Sequence, residues 1–224
     1  MTLLIVLVVG LTMAGSAMGV LTWMASTRGA RPYLISLDAN RSASDAKVIR
    51  CIVVNSVVSM ALIFGATFGL RDVLFYQAPR PLHMLVLEGL AVILIYDFAY
   101  YFMHRYLFHE WPILRGVHSV HHASQNPRAV DSFLLHPVEN VLGLTLMLAS
   151  IAAVGGVHIY TFAPIFAAYT TLNVFNHAGL NVPRFPMKTL GWLAVAHDKH
   201  HHSMRAGNYA SITPLPDLIF GTFE

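Results

Sequence analysis

Thirteen of the 224 residues are histidine, and nine of them fall in a pattern that chemistry can use. His118, His121 and His122 form one His-x-x-His-His run, and His197, His200 and His201 form a second. On a helix, positions i, i+3 and i+4 share a face, so each run can aim three imidazoles at one point. Imidazole nitrogens suit zinc, ferrous iron and copper alike, so the chemistry indicated is metal binding. His104 and His109 make a third cluster, but five residues turn the second side chain about 140° from the first on an ideal helix. They converge only if the helix ends or widens there. His177, alone at the end of a long apolar stretch, can complete the set from an opposite wall. Nine imidazoles are too many for one ion. They suit two ions with four or five protein ligands each, leaving coordination positions open for O2.

The remaining histidines carry less. His136 precedes Pro137 and reads equally as a ligand or as a hydrogen-bonded interfacial residue, His202 as a solvated or outer residue, and His83 and His158 as bystanders. Asp97, Asp131, Glu139 and Asp198 are candidates to accept the second N–H of a ligand imidazole. An all-imidazole site brings no anionic ligand, so its ions stay strongly electrophilic and suit attack on an unactivated C–H bond.

The elements that must position these side chains are apolar helices. The chain is 56% hydrophobic and 11% charged, where a soluble domain carries about a quarter charged residues. Residues 2–25 are uncharged and long enough to cross a bilayer, which takes about 20 helical residues, and no basic segment marks them as a cleaved leader. Ser42 to Asp45 fits a Ser-x-x-acid helix start, followed by a second span over about 51–70. A third runs from Leu82 to about Met103, with Glu88 and Asp97 facing protein rather than lipid. Residues 138–176 would measure about 58 Å as one helix, so they should cross twice with the turn at Gly155 and Gly156. The expected fold is an all-α integral membrane protein of four to five transmembrane helices, the last two being separate spans or a re-entrant hairpin, with a histidine-rich helical cap. Residues 1–81 would form the N-terminal helices and a linker, and residues 82–224 the catalytic domain.

Five spans put 12 of the 14 Lys and Arg on one side, leaving Arg71 and Arg80 opposite, so that side is cytoplasmic by the positive-inside rule. All the clustered histidines fall on the same side, although the charge count is blind to them. A formal charge of +3 without a Lys/Arg run gives no nucleic-acid surface. The single Cys51 excludes an internal disulfide, a CxxC redox pair and a c-type haem, so electrons for a redox reaction must come from another protein. A membrane metal transporter would also be rich in histidine, but it needs polar groups through the bilayer, where only Asn55, Glu88 and Asp97 stand out.

The order His-x4-His, His-x-x-His-His, Asn176-His177, His-x-x-His-His resembles the fatty acid hydroxylase/sterol desaturase superfamily. The likeness extends to Asp97, Tyr100 and Tyr101 before His104-Arg105, to His136-Pro137-Val138-Glu139, to Asn208-Tyr209, and to Asp217 through Thr222. It implies a membrane di-iron enzyme that uses O2 to hydroxylate or desaturate a sterol, fatty acyl, sphingolipid or carotenoid substrate. It further implies a separate electron donor, cytochrome b5-like or a ferredoxin with its reductase, and a bacterial inner membrane or endoplasmic reticulum location. The ligand role carries to His104, His109, His118, His121, His122, His177, His197, His200 and His201. Where some relatives have a tenth histidine this chain has Asn173, and Ala210 replaces a usual glycine.

Overall fold

The computed structural model describes residues 2–38, 40–185 and 187–224, with the side chains of residues 2, 3, 6, 7, 10 and 14 left aside. Nine α-helices are found among these residues: α1 (Thr2–Ser26), α2 (Asp45–Gly69), the single turn α3 (Arg71–Leu74), α4 (Leu82–Phe102), α5 (Pro112–His118), α6 (Pro137–Ala153), α7 (Ile159–Asn176), α8 (Lys188–His201) and α9 (Leu215–Phe220). Two short parallel strands, β1 (Phe75–Tyr76) and β2 (Val157–His158), join the far ends of α3 and α7. Four long helices pack in pairs, α1 along α7 and α2 along α6, with α4 against both α6 and α7. Ile63, Val92, Tyr96, Met147, Ile151 and Phe162 fill the core between them.

Among the described residues, two helical stretches are long and apolar enough to cross a membrane, Asp45–Gly69 and Leu82–Glu110. Their outward faces are strongly apolar: Val53, Val57, Met60 and Phe68 of the first and Val86, Leu87, Leu90 and Leu94 of the second are all exposed. A contiguous apolar surface of this kind marks a non-aqueous environment. The division expected at the glycine pair is present, since α6 and α7 are separate helices and Gly155 and Gly156 both take positive φ. At Gly156 a Cβ would also meet the Val73 carbonyl oxygen at 2.8 Å, so only glycine lets the turn lie on α3.

The start of α2 departs from expectation. Ser42 is not its cap; Ser44 is, accepting the Lys47 N–H at 3.3 Å, while the Ser42 hydroxyl donates to the Ala123 carbonyl. Asp45 is the first helical residue and pairs with Arg41. Glu88 and Asp97 do face protein. Glu88 accepts from the Tyr76 hydroxyl and the His158 N–H, holding α4 to the two strands. Asp97, fully buried, accepts from the backbone N–H groups of Ser211, Ile212 and Thr213 and from the Thr213 hydroxyl.

Candidate metal centre

Immediately after α4 the helix changes hand-count without changing direction: Met103–Glu110 is a π-helix. Its i→i+5 bonding brings residues five apart onto one face, which is the widening that the His104/His109 spacing requires. Their Nε2 atoms lie 3.2 Å apart. Helix α5 then delivers His118 on its last turn, a single 3-10 turn carries His121 and His122, His177 follows the last residue of α7, and α8 ends on His197, His200 and His201.

All nine imidazoles come together, in two groups. His104, His109, His118, His122 and His200 form one and His121, His177, His197 and His201 the other, with the possible ligand atoms of each within 4.8 Å of one another. The geometry corrects one expectation: neither His-x-x-His-His run aims all three rings at one point. In each run the i and i+4 rings share a group and the i+3 ring crosses to the other, so His118 and His122 sit with His200 while His197 and His201 sit with His121. The crossing interlocks the groups, and the His122 and His201 rings stack across the boundary with centroids 4.9 Å apart.

The ring protons show what the groups are for. Seven of the nine Nδ1 atoms have an acceptor: Tyr209 O for His104, Met204 O for His109, Glu139 Oε1 for His118, Leu134 O for His121, Asn173 O for His177, Gly207 O for His200 and Ser124 O for His201, at 2.7–3.2 Å. A neutral imidazole has one N–H, and a carbonyl can only accept, so each of these rings carries its proton on Nδ1 and a lone pair on Nε2. The Nε2 atoms converge at 2.9–3.2 Å from their neighbours, lone pair facing lone pair, in both groups. Such an arrangement repels itself unless a cation lies between. Nitrogens about 2.1 Å from one ion and at right angles would be about 3.0 Å apart, so the spacing fits one ion per group.

A proton is a poor substitute for that cation. Burial, and then the neighbouring rings, push the imidazoles of His118, His122, His200 and His201 below their usual range, and burial takes His121 from 6.5 to about 4. The rings are therefore neutral and ready to ligate at physiological pH. Below about pH 6.5 the unfolded chain takes up protons that the folded chain refuses, so folding stability falls with pH; the fall slackens near pH 4, where His121 itself protonates, and continues below it for the rings held lower. Melting temperatures of metal-free protein between pH 8 and pH 4 should be level above about 6.5 and fall steadily below it; a flat profile would mean the rings are not held neutral.

Of the four carboxylates expected to orient imidazoles, Glu139 alone does so directly. It is buried, and its Oε1 holds the His118 N–H at 2.8 Å. Asp97 binds the 211–213 backbone instead, Asp131 binds Arg41, Ser124 and the Arg128 N–H, and Asp198 lies 3.7 Å from the non-converging His202. Among the described residues Glu139 is thus the one carboxylate touching either group, and replacing it with glutamine keeps an acceptor but removes the ionisable group. Metal affinity should drop about 10- to 100-fold in chelator competition with little change in the fold. Unchanged affinity would reduce Glu139 to a spacer.

His136 caps α6 by accepting the Val138 N–H, His158 caps α7 by accepting the Tyr160 N–H, His202 meets Asn126, and exposed His83 stands outside both groups. Sequence reasoning missed the segment after α8. Its carbonyls at Met204, Gly207 and Tyr209 hold three of the five rings in the larger group. The segment is shaped by Asn208, the one described non-glycine residue at positive φ, and by Asp217, which accepts from the Tyr209 and Ala210 N–H groups. Asn208-Tyr209 and Asp217 were visible as a motif, but only as a likeness.

A helical scaffold that brings two interlocked sets of neutral imidazoles to the end of membrane-compatible helices defines a candidate dinuclear metal protein. Residues 89–222 match the Fatty acid hydroxylase family, and the chain belongs to it. Curated relatives include methylsterol monooxygenase 1 of Rattus norvegicus, 33% identical over 139 residues, covering 60% of this chain and 45% of that protein. The very-long-chain aldehyde decarbonylase GL1-8 of Oryza sativa subsp. indica is 32% identical over 159 residues, covering 69% of this chain and 57% of that protein. Methylsterol monooxygenase 2-2 of Arabidopsis thaliana is 33% identical over 137 residues, 58% of this chain and 49% of that protein. The chain thus spans about half the length of the curated relatives it matches. No solved structure matches significantly.

Proposed function

We propose that this chain is a membrane-bound, O2-dependent di-iron oxidoreductase that hydroxylates or desaturates a lipid, with His104, His109, His118, His122 and His200 ligating one iron and His121, His177, His197 and His201 the other. The observation that carries this reading is the convergence of nine imidazole lone pairs in two groups, one of which reaches a cavity of about 330 Å³ between the long helices through His121. Bound there, two iron ions would supply the reductive activation of O2 that removal of a hydrogen from an aliphatic C–H bond requires. The protein's own contributions are positional. Backbone carbonyls and Glu139 hold the ring tautomers, Tyr100, Phe133 and Phe166 wall the cavity against water, and the helices hold a lipid beside His121. Membership of the family and the names of its relatives, two of them monooxygenases, support the same class of chemistry.

In this reading residues 82–224 are the catalytic unit, residues 1–81 complete the membrane part and the cavity wall, and the four to five apolar helices cross the bilayer of a bacterial inner membrane or the endoplasmic reticulum. The imidazole groups lie on the cytoplasmic side, where a cytochrome b5-like protein or a ferredoxin with its reductase delivers electrons. Metal transport is the weaker reading, because Asn55, Glu88 and Asp97 all have structural partners. Asn55 donates to the Phe133 and Leu135 carbonyls, and the two carboxylates are bonded as described above. Protein produced with iron and placed in lipid nanodiscs should contain two irons per chain and consume O2 when given a reductant, a donor protein and candidate lipids. Absence of iron, or no turnover with any donor, would sink the proposal, and liposomes carrying the protein should show no Zn2+ or Fe2+ flux.

A further inference from the structure

The cavity beside His121 has its own entrance. Among its described lining residues only Gly15 of α1 and Met60 of α2 are exposed; every other one is buried or half-buried. Both lie near the middle of their helices, and α1 and α2 make little contact with each other because each packs on a different partner. The opening is therefore lateral, at the depth of the apolar helix midpoints rather than at their polar ends. A Cβ on Gly15 would meet nothing within 4 Å, so the glycine is not required by packing and leaves the gap clear.

The lining also limits what can enter. At about 10–15 Å³ per water-sized group, 330 Å³ has room for on the order of 20–30 non-hydrogen atoms, the size of a lipid chain or a fused-ring lipid. Its described lining holds no Lys or Arg. Apart from tyrosines, its titratable groups are His121 and Glu139, and Glu139 Oε2 is buried with no partner among the described residues. The lining side chains therefore offer an anionic head no basic partner of their own. Ser59, Asn140 and Asn173 offer neutral hydrogen-bonding groups instead.

We infer that the gap between α1 and α2 at Gly15 and Met60 is the substrate entrance, opening to the bilayer interior, so that a lipid reaches the cavity sideways from the membrane. The inference rests on the proposed lipid-oxidising role but is tested by binding. A photoreactive long-chain diazirine alcohol is irradiated with the metal-loaded protein in nanodiscs, and labelled peptides are located by mass spectrometry. The alcohol should label the stretches around Leu11–Met18 and Ser56–Met60. Gly15→Trp should lose most of that labelling. Val20→Trp, at an exposed position of α1 outside the cavity lining, should keep it. Metal content and melting temperature of each variant report whether the fold and the imidazole groups survive. Undiminished labelling of Gly15→Trp, or no labelling of these stretches in the parent protein, would overturn the entrance. Labelling as expected without O2 consumption would leave the entrance standing and remove the oxidoreductase reading. Lipid turnover by Gly15→Trp at the parent rate would do the reverse.

Discussion

His201→Ala should leave the protein with close to one metal ion per chain instead of two and with turnover at least about 100-fold below the parent, whereas His200→Ala, one residue earlier, should be the milder change. The reason is the unequal division of the rings. Removing His201 takes the four-membered group down to three imidazoles, while removing His200 leaves four in the other. Loss of a ligand weakens a site in proportion to what remains, so the His200 variant should refill at raised iron concentration with affinity reduced about 10- to 100-fold, and the His201 variant should not. Metal analysis after dialysis against graded chelator, together with O2 consumption, separates the two. Equal losses in both variants would mean the two groups are not the independent coordination sets that their geometry describes.

The largest effect on stability should come from a residue that touches no imidazole. Asp97→Ala removes the acceptor for the N–H groups of Ser211, Ile212 and Thr213, at 3.2, 2.8 and 2.9 Å, and leaves the buried Ile212 N–H and its two half-buried neighbours without a partner. Each orphaned donor costs about 1–3 kcal/mol, so a loss of about 4 kcal/mol or more is expected, enough to unfold a marginally stable protein. The damage extends to the metal centre, because the same loop begins at Tyr209, whose carbonyl holds the His104 ring. Asp97→Asn keeps one acceptor oxygen and should lose less. Thermal melts in detergent and iron content of whatever folds provide the check, and a near-parental melting temperature for Asp97→Ala would show that the loop is held by other means.

These two cases also show where the sequence was legible. The ring set could be read because imidazole is rare, chemically specific and spaced here by helical geometry. The turn at Gly155 and Gly156 could be read because a nearly uncharged stretch of that length exceeds one helix. The interleaving of the two runs could not be read, since i, i+3 and i+4 lie on one broad face and only the position of α8 against α5 decides which centre each ring meets. The outer acceptors were invisible for a plainer reason: six of the seven rings with an acceptor lean on backbone carbonyls, which every residue possesses. Asp97 was noticed for its charge but assigned to the wrong donor, because a carboxylate near histidines suggests a ring partner and nothing in the sequence shows a loop over 100 residues away folding back onto it. The helix start at Ser44 rather than Ser42 is a smaller miss, arising because the Ser42 hydroxyl is taken by Ala123 across the chain.

The carbonyls of Met204, Gly207 and Tyr209 lie near the C-terminal end of the residues described, yet they fasten rings that precede them by as much as 105 residues. Chains emerge from the ribosome N-terminus first, at roughly 5–20 residues per second, so His104 and His109 wait on the order of ten seconds for the groups that fix them. During that interval the nascent protein can bury its apolar helices but cannot yet hold metal in the larger group, so metal loading of that group waits until the segment through Tyr209 has been made.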